Sequence, residues 1–468
     1  MLLTLGPCIG QDGSLDTSFN PGSGANNPIN TLTMEPDGRM LISGTFTDYD
    51  GTSRSKIARL FEDGSLDTSF DPGAGVNGTI SSIVRQDDGK YIIAGSFTAY
   101  NGVERNQVAR IFSDGTLDDL FNPGSGIGTT GPVTISVLLP RPDGKVLIGG
   151  CFPQFDGVVN NGIVLLDTNG DPDPSFSTGS GLDDNTTPID GQVWDMVPQP
   201  DGKILIAGAF TGYNGSAMNR IARLNADGTL DGSFSIGTGF DDWSAYVWDI
   251  ALAPDGRILA GGHFSSYNAS PANNIILLNS DGSMQQTYAG LPATSFINRV
   301  LIQPDGNVLA AHWGSGHLVR FDTGTGLDIA FEPGSGTNGG SLDPTIFGMT
   351  LQADGKIVLV GSFTSFNGED VGHITRLNNS ISSSITEPFA PDLLVFTDRS
   401  SRMVNVTVKE IGAVGELTVF DMSGRQVVAT QTLNTSGGHL LDMRERSAGT
   451  YVLSVRLRDR VINRRFQL

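Results

Sequence analysis

At 468 residues the chain has room for two or three ordinary domains, or for one large repeat architecture with a small module attached. Glycine supplies 62 residues while Val, Ile, Leu and Phe stay frequent, a combination that suits many short strands joined by tight turns. The formal charge is −21 and unevenly placed: residues 392–468 hold 11 Lys and Arg against 8 Asp and Glu, leaving 18 against 42, or −24, on the first 391, and an acidic body of that size argues against binding to nucleic acid or to anionic membranes.

Residues 1–10, MLLTLGPCIG, are apolar for a short stretch but carry no basic n-region and fall short of a signal-peptide core, so they are expected to be the remnant of one. The Leu-Gly-Pro-Cys stretch ending at Cys8 has the outline of a lipoprotein cleavage box, against which the proline before the cysteine argues. The two cysteines, Cys8 and Cys151, have no C-x-x-C spacing, which excludes a disulfide framework and leaves a single bridge open. No run of about 18 apolar residues occurs, so no transmembrane helix is expected.

From residue 11 onward the chain repeats. A turn of the form (P/A/D)-D-G recurs with its aspartate at Asp37, Asp88, Asp143, Asp201, Asp255, Asp305 and Asp354, at separations of 51, 55, 58, 54, 50 and 49 residues. A second marker, D-G-S-L-D-x-S-F, ends at Phe19, Phe70, Phe121 and Phe234, and in weaker forms at Phe176, Tyr288 and Phe331. Both markers count seven. Within the unit from Ile29 to Phe70, the runs INTLTME, RMLISGTF, KIARLF and SLDTSF read as four strands separated by turn residues. Pro36-Asp37-Gly38 and Glu62-Asp63-Gly64 are the chemistry of a type I turn closed by a glycine bulge, so each unit is an antiparallel meander.

A lone meander cannot cover both of its faces, and four strands per roughly 50 residues is the size of a propeller blade. The fold class expected is therefore all-β: a seven-bladed β-propeller of four-stranded blades at residues 11–380. The chain begins with a fourth-strand motif, Asp12 to Phe19, and its last repeat stops after a third strand, GHITRLN; the N-terminal strand would close the ring and remove the sheet edge at the seam. The short third loop sets Arg59 across from Asp67, and the same pairing is expected of Arg110–Asp118, Arg223–Asp231, Arg320–Asp328 and, through closure, Arg376–Asp16. Repeat five loses both partners together, at Leu277 and Gln285, whereas repeat three keeps Asp173 opposite Leu165. These pairs are expected to be structural.

DGSLDTSFNPGSG followed by QPDGKILIAGAFTGYNG and NRIARLN resembles the delta-60 repeat, a propeller-forming repeat of bacterial surface and secreted proteins, over about residues 11–380. Repeat six departs from it, with AAHWGSGHLVRF in place of the long F-T-x-Y-N-G loop. A linker follows at 381–391, within NNSISSSITEPFAP, and residues 392–468 alternate as a small immunoglobulin-like β-sandwich. VFDMSGRQV, SAGTYVLSVR and the basic end INRRFQL resemble the type IX secretion sorting domain of Bacteroidota, in which case Asp421, Gly424, Arg425, Gly449, Tyr451 and Arg465 would be the residues that match the sorting motif and the export machinery would be a partner. Phe396-Thr397-Asp398-Arg399 stands where that family has Pro-Asn-Pro, and an immunoglobulin-like spacer is the alternative reading.

Antiparallel connectivity puts the variable inter-blade segments and the F-T-x-Y-N-G loops on one side of the disc, where recognition usually sits. Tyr49, Tyr100, Tyr213, Tyr267 and Phe366 are expected to be exposed there, either stacking on a ligand or, as their recurrence favours, packing their own loops. Asp241, Asp242 and Trp243 are not repeated and are the better ligand candidates. The innermost strands carry Trp194-Asp195 and Trp248-Asp249 at matching positions, with Arg299 equivalent in the next repeat. Two channel carboxylates could serve as acid and base or bind a cation, although blade duplication explains them more simply.

No cofactor or catalytic residue is expected. Calcium is the one ion weighed for the Asp/Gly-rich turns, and they lack a D-x-[DN]-x-[DN]-G run. The five histidines have no metalloprotease spacing. The function expected is a secreted or cell-surface, monomeric, non-catalytic binding or adhesion scaffold for an extracellular glycan or protein. A polysaccharide hydrolase or lyase working in the channel is the alternative, and a pure spacer a third.

Overall fold

The computed structural model describes residues 11–128, 133–183, 191–240, 245–291, 295–314, 316–323, 326–340 and 343–380, together with the strands of a C-terminal unit. The chain divides at Ser380 into two compact units, residues 1–380 and 381–468. Among the described residues there is no helix, so none long and apolar enough to cross a membrane.

In the first unit the described residues form seven main antiparallel sheets, besides small two- and three-stranded sheets in the loops; the first three strands of each main sheet follow chain order from the inside outward, and in repeat one these are Ile29–Met34, Met40–Gly44 and Ile57–Leu60. The middle strand is buried along its whole length in repeat after repeat, because neighbouring sheets cover both of its faces. The first strand of each sheet packs against the first strand of the next, and that of repeat seven, Ile346–Leu351, returns to that of repeat one. Apolar clusters fill the spaces between sheets. At the seam, Val358, Val360 and Ile374 of repeat seven pack with Met40, Ile42 and Ala58 of repeat one, and Phe19 joins them.

The N-terminal segment completes that seam. Leu15 bridges Leu377, the Asp16 amide donates to the Arg376 carbonyl at 2.8 Å, and the Gly13 amide donates to the Asn378 carbonyl at 2.8 Å. The (P/A/D)-D-G turns take the geometry their residues favour: the Gly38 amide donates to the Glu35 carbonyl at 3.0 Å, Gly38 sits at φ 89°, and the Asp37 carboxylate accepts from the Arg39 amide.

The fourth segment differs from a full strand. In repeats one to four and six it touches its sheet through one bridge, for example Leu60 to Leu66, and then turns. The cause is the aspartate of the motif: Asp67 Oδ1 accepts from the Ser69 amide at 2.9 Å and from its hydroxyl at 2.6 Å, and the Phe70 amide donates to the Asp67 carbonyl. Repeat five is the control. There Gln285 replaces the aspartate, the turn is lost, and Met284–Thr287 pairs as a true strand.

Each inner strand is bulged at its N-terminal end. The register slips around Asn30, Ser81, Ser136, Trp194, Trp248, Asn298 and Phe347, leaving one unpaired residue per repeat. The bulge presses the chain onto the middle strand, where a Cβ on Gly262 would meet the Tyr246 carbonyl oxygen at 2.0 Å. Glycine fills that place in six repeats; repeat six has His312.

The described residues of the second unit form two antiparallel sheets, one ordered 393–398, 403–408, 439–442 and the other 426–434, 414–421, 450–456, 461–467. Val404, Val406 and Leu441 of the first share a core with Leu417, Val419, Tyr451, Leu453 and Val455 of the second.

Candidate functional site

The Arg–Asp pairs are clamps within and between sheets. Arg59 Nε donates to Asp67 Oδ2 at 2.7 Å, its Nη2 to the Ser69 hydroxyl at 3.0 Å, and its Nη1 to the Ser113 carbonyl of the next repeat at 2.5 Å. Its guanidinium lies 5.3 Å from the centre of the Phe70 ring. Arg110, Arg223, Arg320 and Arg376 pair in the same way with Asp118, Asp231, Asp328 and Asp16. A second cation that sequence reasoning missed joins four of these carboxylates, Asp67, Asp118, Asp231 and Asp16, from the start of the middle strand: Arg39, Lys90, Lys203 and Lys356. In repeat three, where Leu165 replaces the arginine, Lys145 alone holds Asp173 at 2.6 Å. Burial would raise the Asp67 carboxyl, but the Ser69 and Arg59 hydrogen bonds outweigh it and hold it at about 2.

The aromatics of the long loops are not exposed, contrary to the sequence expectation. Tyr49, Tyr100, Tyr213, Tyr267 and Phe366 are fully buried. The Tyr49 hydroxyl donates to the Gly64 carbonyl at 2.8 Å, and Tyr100, Tyr213 and Tyr267 donate at 2.6 Å to Gly115, Gly228 and Gly282, each 15 residues on. The residue after the aromatic stands at φ 45–52° and pins the preceding loop, as where Asn268 Oδ1 accepts from the Thr238 amide at 2.7 Å. The F-T-x-Y-N-G signature thus encodes loop packing.

Asp241, Asp242 and Trp243 lie outside the described residues, as does Cys8. Gly424, Arg425 and Gly449 do too. Of the other residues expected to match a sorting motif, Asp421 is the cross-strand partner of Tyr451, which is buried in the C-terminal core, and Arg465 is the partner of Val452.

The inner-strand bulges divide the repeats into two kinds. In repeats one, two and six the bulged side chain ties its strand to the next repeat: Asn30 Nδ2 to the Ile80 carbonyl at 3.1 Å, the Ser81 hydroxyl to the Ile135 carbonyl at 2.6 Å, and Asn298 Nδ2 to the Ile346 carbonyl at 2.5 Å. Ser136 of repeat three accepts from Gln192 Nε2 at 3.1 Å. In repeats four, five and seven the bulged residue is instead Trp194, Trp248 and Phe347.

Asp195 and Asp249, one residue further on, take over the tie. Asp195 Oδ2 accepts from the Ile250 amide at 2.9 Å and Asp249 Oδ2 from the Val300 amide at 2.6 Å. Arg299 Nε donates to the Phe347 carbonyl at 2.6 Å, and its Nη1 lies 3.7 Å from Asp249 Oδ1. Burial pushes both carboxyls up; Arg299 opposes this in each, and the Asp195 charge adds to it at Asp249. The structure therefore brings the three channel residues together as a brace between adjacent inner strands.

Released from that duty, the aromatic bulges gather neighbours. Trp194 and Trp248 have ring centres 5.9 Å apart, Trp248 and Trp313 5.3 Å, and Trp313 and Phe347 6.3 Å. Tyr246 fills the angle between the first two at 5.4 and 5.9 Å, with His263 and Phe296 in contact behind it. Trp313 is 48% exposed, and the other rings named here are half-buried. This continuous wall on repeats four to seven holds three of the chain's four tryptophans. Its signals in sequence were the paired Trp194 and Trp248 and the shortened loop of repeat six that carries Trp313.

A cleft of about 470 Å³ lined by Gln199, Asp201, Arg223, Ser233, Ser280 and Asp281 surrounds the Arg223 clamp, whose guanidinium is already paired. Among the described residues no group of three or more His, Cys, Asp or Glu is placed to hold a metal ion.

Residues 35–70, 86–121, 141–176, 199–234, 253–284 and 352–380 match the model of a family described as a domain of unknown function (DUF5122) β-propeller, and repeat six is outside the matched segments. The chain is a β-propeller repeat protein. Similar solved structures include PorZ, a surface component of the type IX secretion system of Porphyromonas gingivalis, at 13% identity and a TM-score of 0.43 over 95% of this chain and 60% of that one. The extracellular domain of BT4673 from B. thetaiotaomicron matches at 12% and 0.45 over 97% and 59%, and virginiamycin B lyase from Staphylococcus aureus at 11% and 0.47 over 76% and 96%. The chain thus spans about 60% of the length of the first two. No curated protein matches it in sequence.

Proposed function

We propose that this propeller is a secreted or cell-surface binding scaffold without chemistry of its own, and that its ligand, an extracellular glycan or protein, engages the aromatic wall where the inner strands begin. The observation that carries the reading is the exchange at the bulges: a residue that braces the ring in repeats one, two and six is replaced in repeats four, five and seven by a large ring. Bulges re-aim side chains and gather beside functional sites. A half-exposed indole among stacked rings supplies rigid contact area at little entropic cost.

In this reading the ring has seven blades, each a meander closed by its D-x-S-F segment, with the N-terminal segment sealing the seventh, and the repeats are of the delta-60 type. Residues 392–468 are a type IX sorting domain of immunoglobulin-like form that hands the propeller to the export machinery. Asp195 and Asp249 brace strands, which supports a binding role over hydrolysis. The test is a glycan and protein array on the purified full chain, followed by an activity screen on every hit. Binding without product is expected; turnover lost in Asp195→Asn or Asp249→Asn would replace the scaffold with an enzyme.

A further inference from the structure

We infer that the aromatic wall takes a neutral oligosaccharide, laid with its C–H faces on Trp313, Trp248 and Trp194 and its hydroxyls toward the polar side chains of repeats one to three. The inference rests on the binding reading above and names the class of ligand for that site.

The two sides of the ring differ in chemistry. In repeats four, five and seven the bulge positions are rings and repeat six adds Trp313, with centres 5.3 to 6.3 Å apart along the row Trp194, Trp248, Trp313 and Phe347. Around repeats one to three the same positions are Asn30, Ser81 and Ser136, with Thr134 and Gln192 beside the last. These are uncharged hydroxyls and amides. A hydroxyl that accepts from an amide, as those of Thr134 and Ser136 do from Gln192 at 3.2 and 3.1 Å, still has its own proton to donate. A surface that pairs an apolar wall with neutral donors and acceptors matches a pyranose, which is apolar on its faces and polar around its edge.

Two further observations weigh against an edge-paired peptide and an anionic glycan. An extended peptide binds a sheet edge by pairing with free backbone groups, but those of the inner strands are largely taken. The carbonyls of Ile80, Ile83, Ile135, Ile346 and Phe347 accept from Asn30, Thr33, Ser81, Asn298 and Arg299, and the amides of Ile250 and Val300 donate to Asp195 and Asp249. Stacking needs none of them. An anionic glycan would have to approach a body whose first 391 residues carry a balance of −24, and in that field a sulfated or uronic chain is repelled.

The experiment is a titration of the full chain with neutral hexasaccharides of the cello, xylo, manno and chito series, with polygalacturonate and heparin, and with a proline- and aromatic-rich peptide pool. Tryptophan fluorescence, which three rings of the wall dominate, and calorimetry are the readouts. At least one neutral series should saturate, shift the emission, and bind about tenfold or more weakly to Trp313→Ala, the scale of a hot-spot truncation. Trp313 is half-exposed, so that variant should keep the parent's melting temperature. Trp194→Phe, which retains a ring, should lose much less than Trp194→Ala. Binding of the peptide pool alone, sensitive to Trp313→Ala, overturns the neutral glycan and leaves the scaffold reading standing. Preference for the polyanions overturns it as well, as does neutral-sugar binding indifferent to Trp313, and the absence of any saturable ligand removes both readings.

Discussion

Arg376 and Asp16 lie 360 positions apart in the chain, and Arg376 Nε donates to Asp16 Oδ2 at 2.7 Å. The same carboxylate accepts from Lys356 at 2.9 Å, while Arg376 Nη1 reaches the Glu62 carbonyl at 2.9 Å, so one buried pair ties the N-terminal segment to the last sheet and the last sheet to the first. Removing one partner of a buried pair strands the other, at a cost of about 3–5 kcal/mol. Arg376→Ala and Asp16→Ala should each lower stability on that scale in urea unfolding, and the double variant should cost far less than their sum. Additive losses would show that the two residues act separately and that the seam is held elsewhere.

Repeat three offers an internal contrast. Asp173 has Lys145 but no arginine, and Lys145 is 28% exposed. Exposed pairs contribute about 0–1 kcal/mol, so Asp173→Asn should be several-fold milder than Asp67→Asn in the same assay. Equal losses would mean that the serine turn, which both repeats keep, carries the energy and the cations little.

Acid should expose the whole set. Burial works to raise Asp16, Asp67, Asp118 and Asp231, yet their serine, backbone and cation partners leave them lowered; Asp173 is lowered chiefly by Lys145, and Asp67 and Asp173 stand at about 2. An unfolded aspartate takes its proton near pH 4. Below that the unfolded chain binds protons that the folded one refuses, so the stabilisation is complete above about pH 4 and drains away as pH falls toward the folded values. Melting temperature should change little from these groups between pH 5 and 7 and fall steeply below pH 4, and a flat profile down to pH 3 would contradict the clamp.

Much of this was legible because the chain contains its own comparison set. Arg59 and Asp67 could be paired from turn length alone, and their joint loss at Leu277 and Gln285 tested the pairing within one sequence. Loop aromatics were harder to place: the side chain of Tyr100 buries itself by reaching a carbonyl 15 residues away, a contact no local pattern encodes. The aromatic wall was harder still. Its members come from different offsets in four repeats, three of them at inner-strand bulges, and a bulge leaves no residue signature when glycine, the one trace of it, pairs alike with Val247 beside Trp248 and with Ile29 beside Asn30.

Tyr100→Phe leaves the Gly115 carbonyl buried without its donor, which costs about 1–3 kcal/mol. The variant should melt lower yet bind any ligand of the wall with the parent's affinity, because the loop tyrosines are packing groups. A loss of affinity at unchanged stability would return these residues to the binding surface.

Asp249 gives the sharpest separation between bracing and catalysis. Its carboxyl is raised by burial and by Asp195 against the pull of Arg299, so the folded chain holds a proton that the unfolded chain releases, and ionisation costs stability as pH rises past about 4. An asparagine in its place would be free of that cost and would keep an oxygen to accept from the Val300 amide, the bond that links repeats five and six. Asp249→Asn should therefore gain on the parent as pH is raised from 5 to 8, and should bind the same ligand to within about twofold, far short of the tenfold expected of a hot spot. The difference in melting temperature at the two pH values, read beside a binding isotherm, is the measurement. A stability gap that stays constant with pH, joined to a reaction that disappears in the variant, would make the carboxylate a participant in chemistry and the brace incidental.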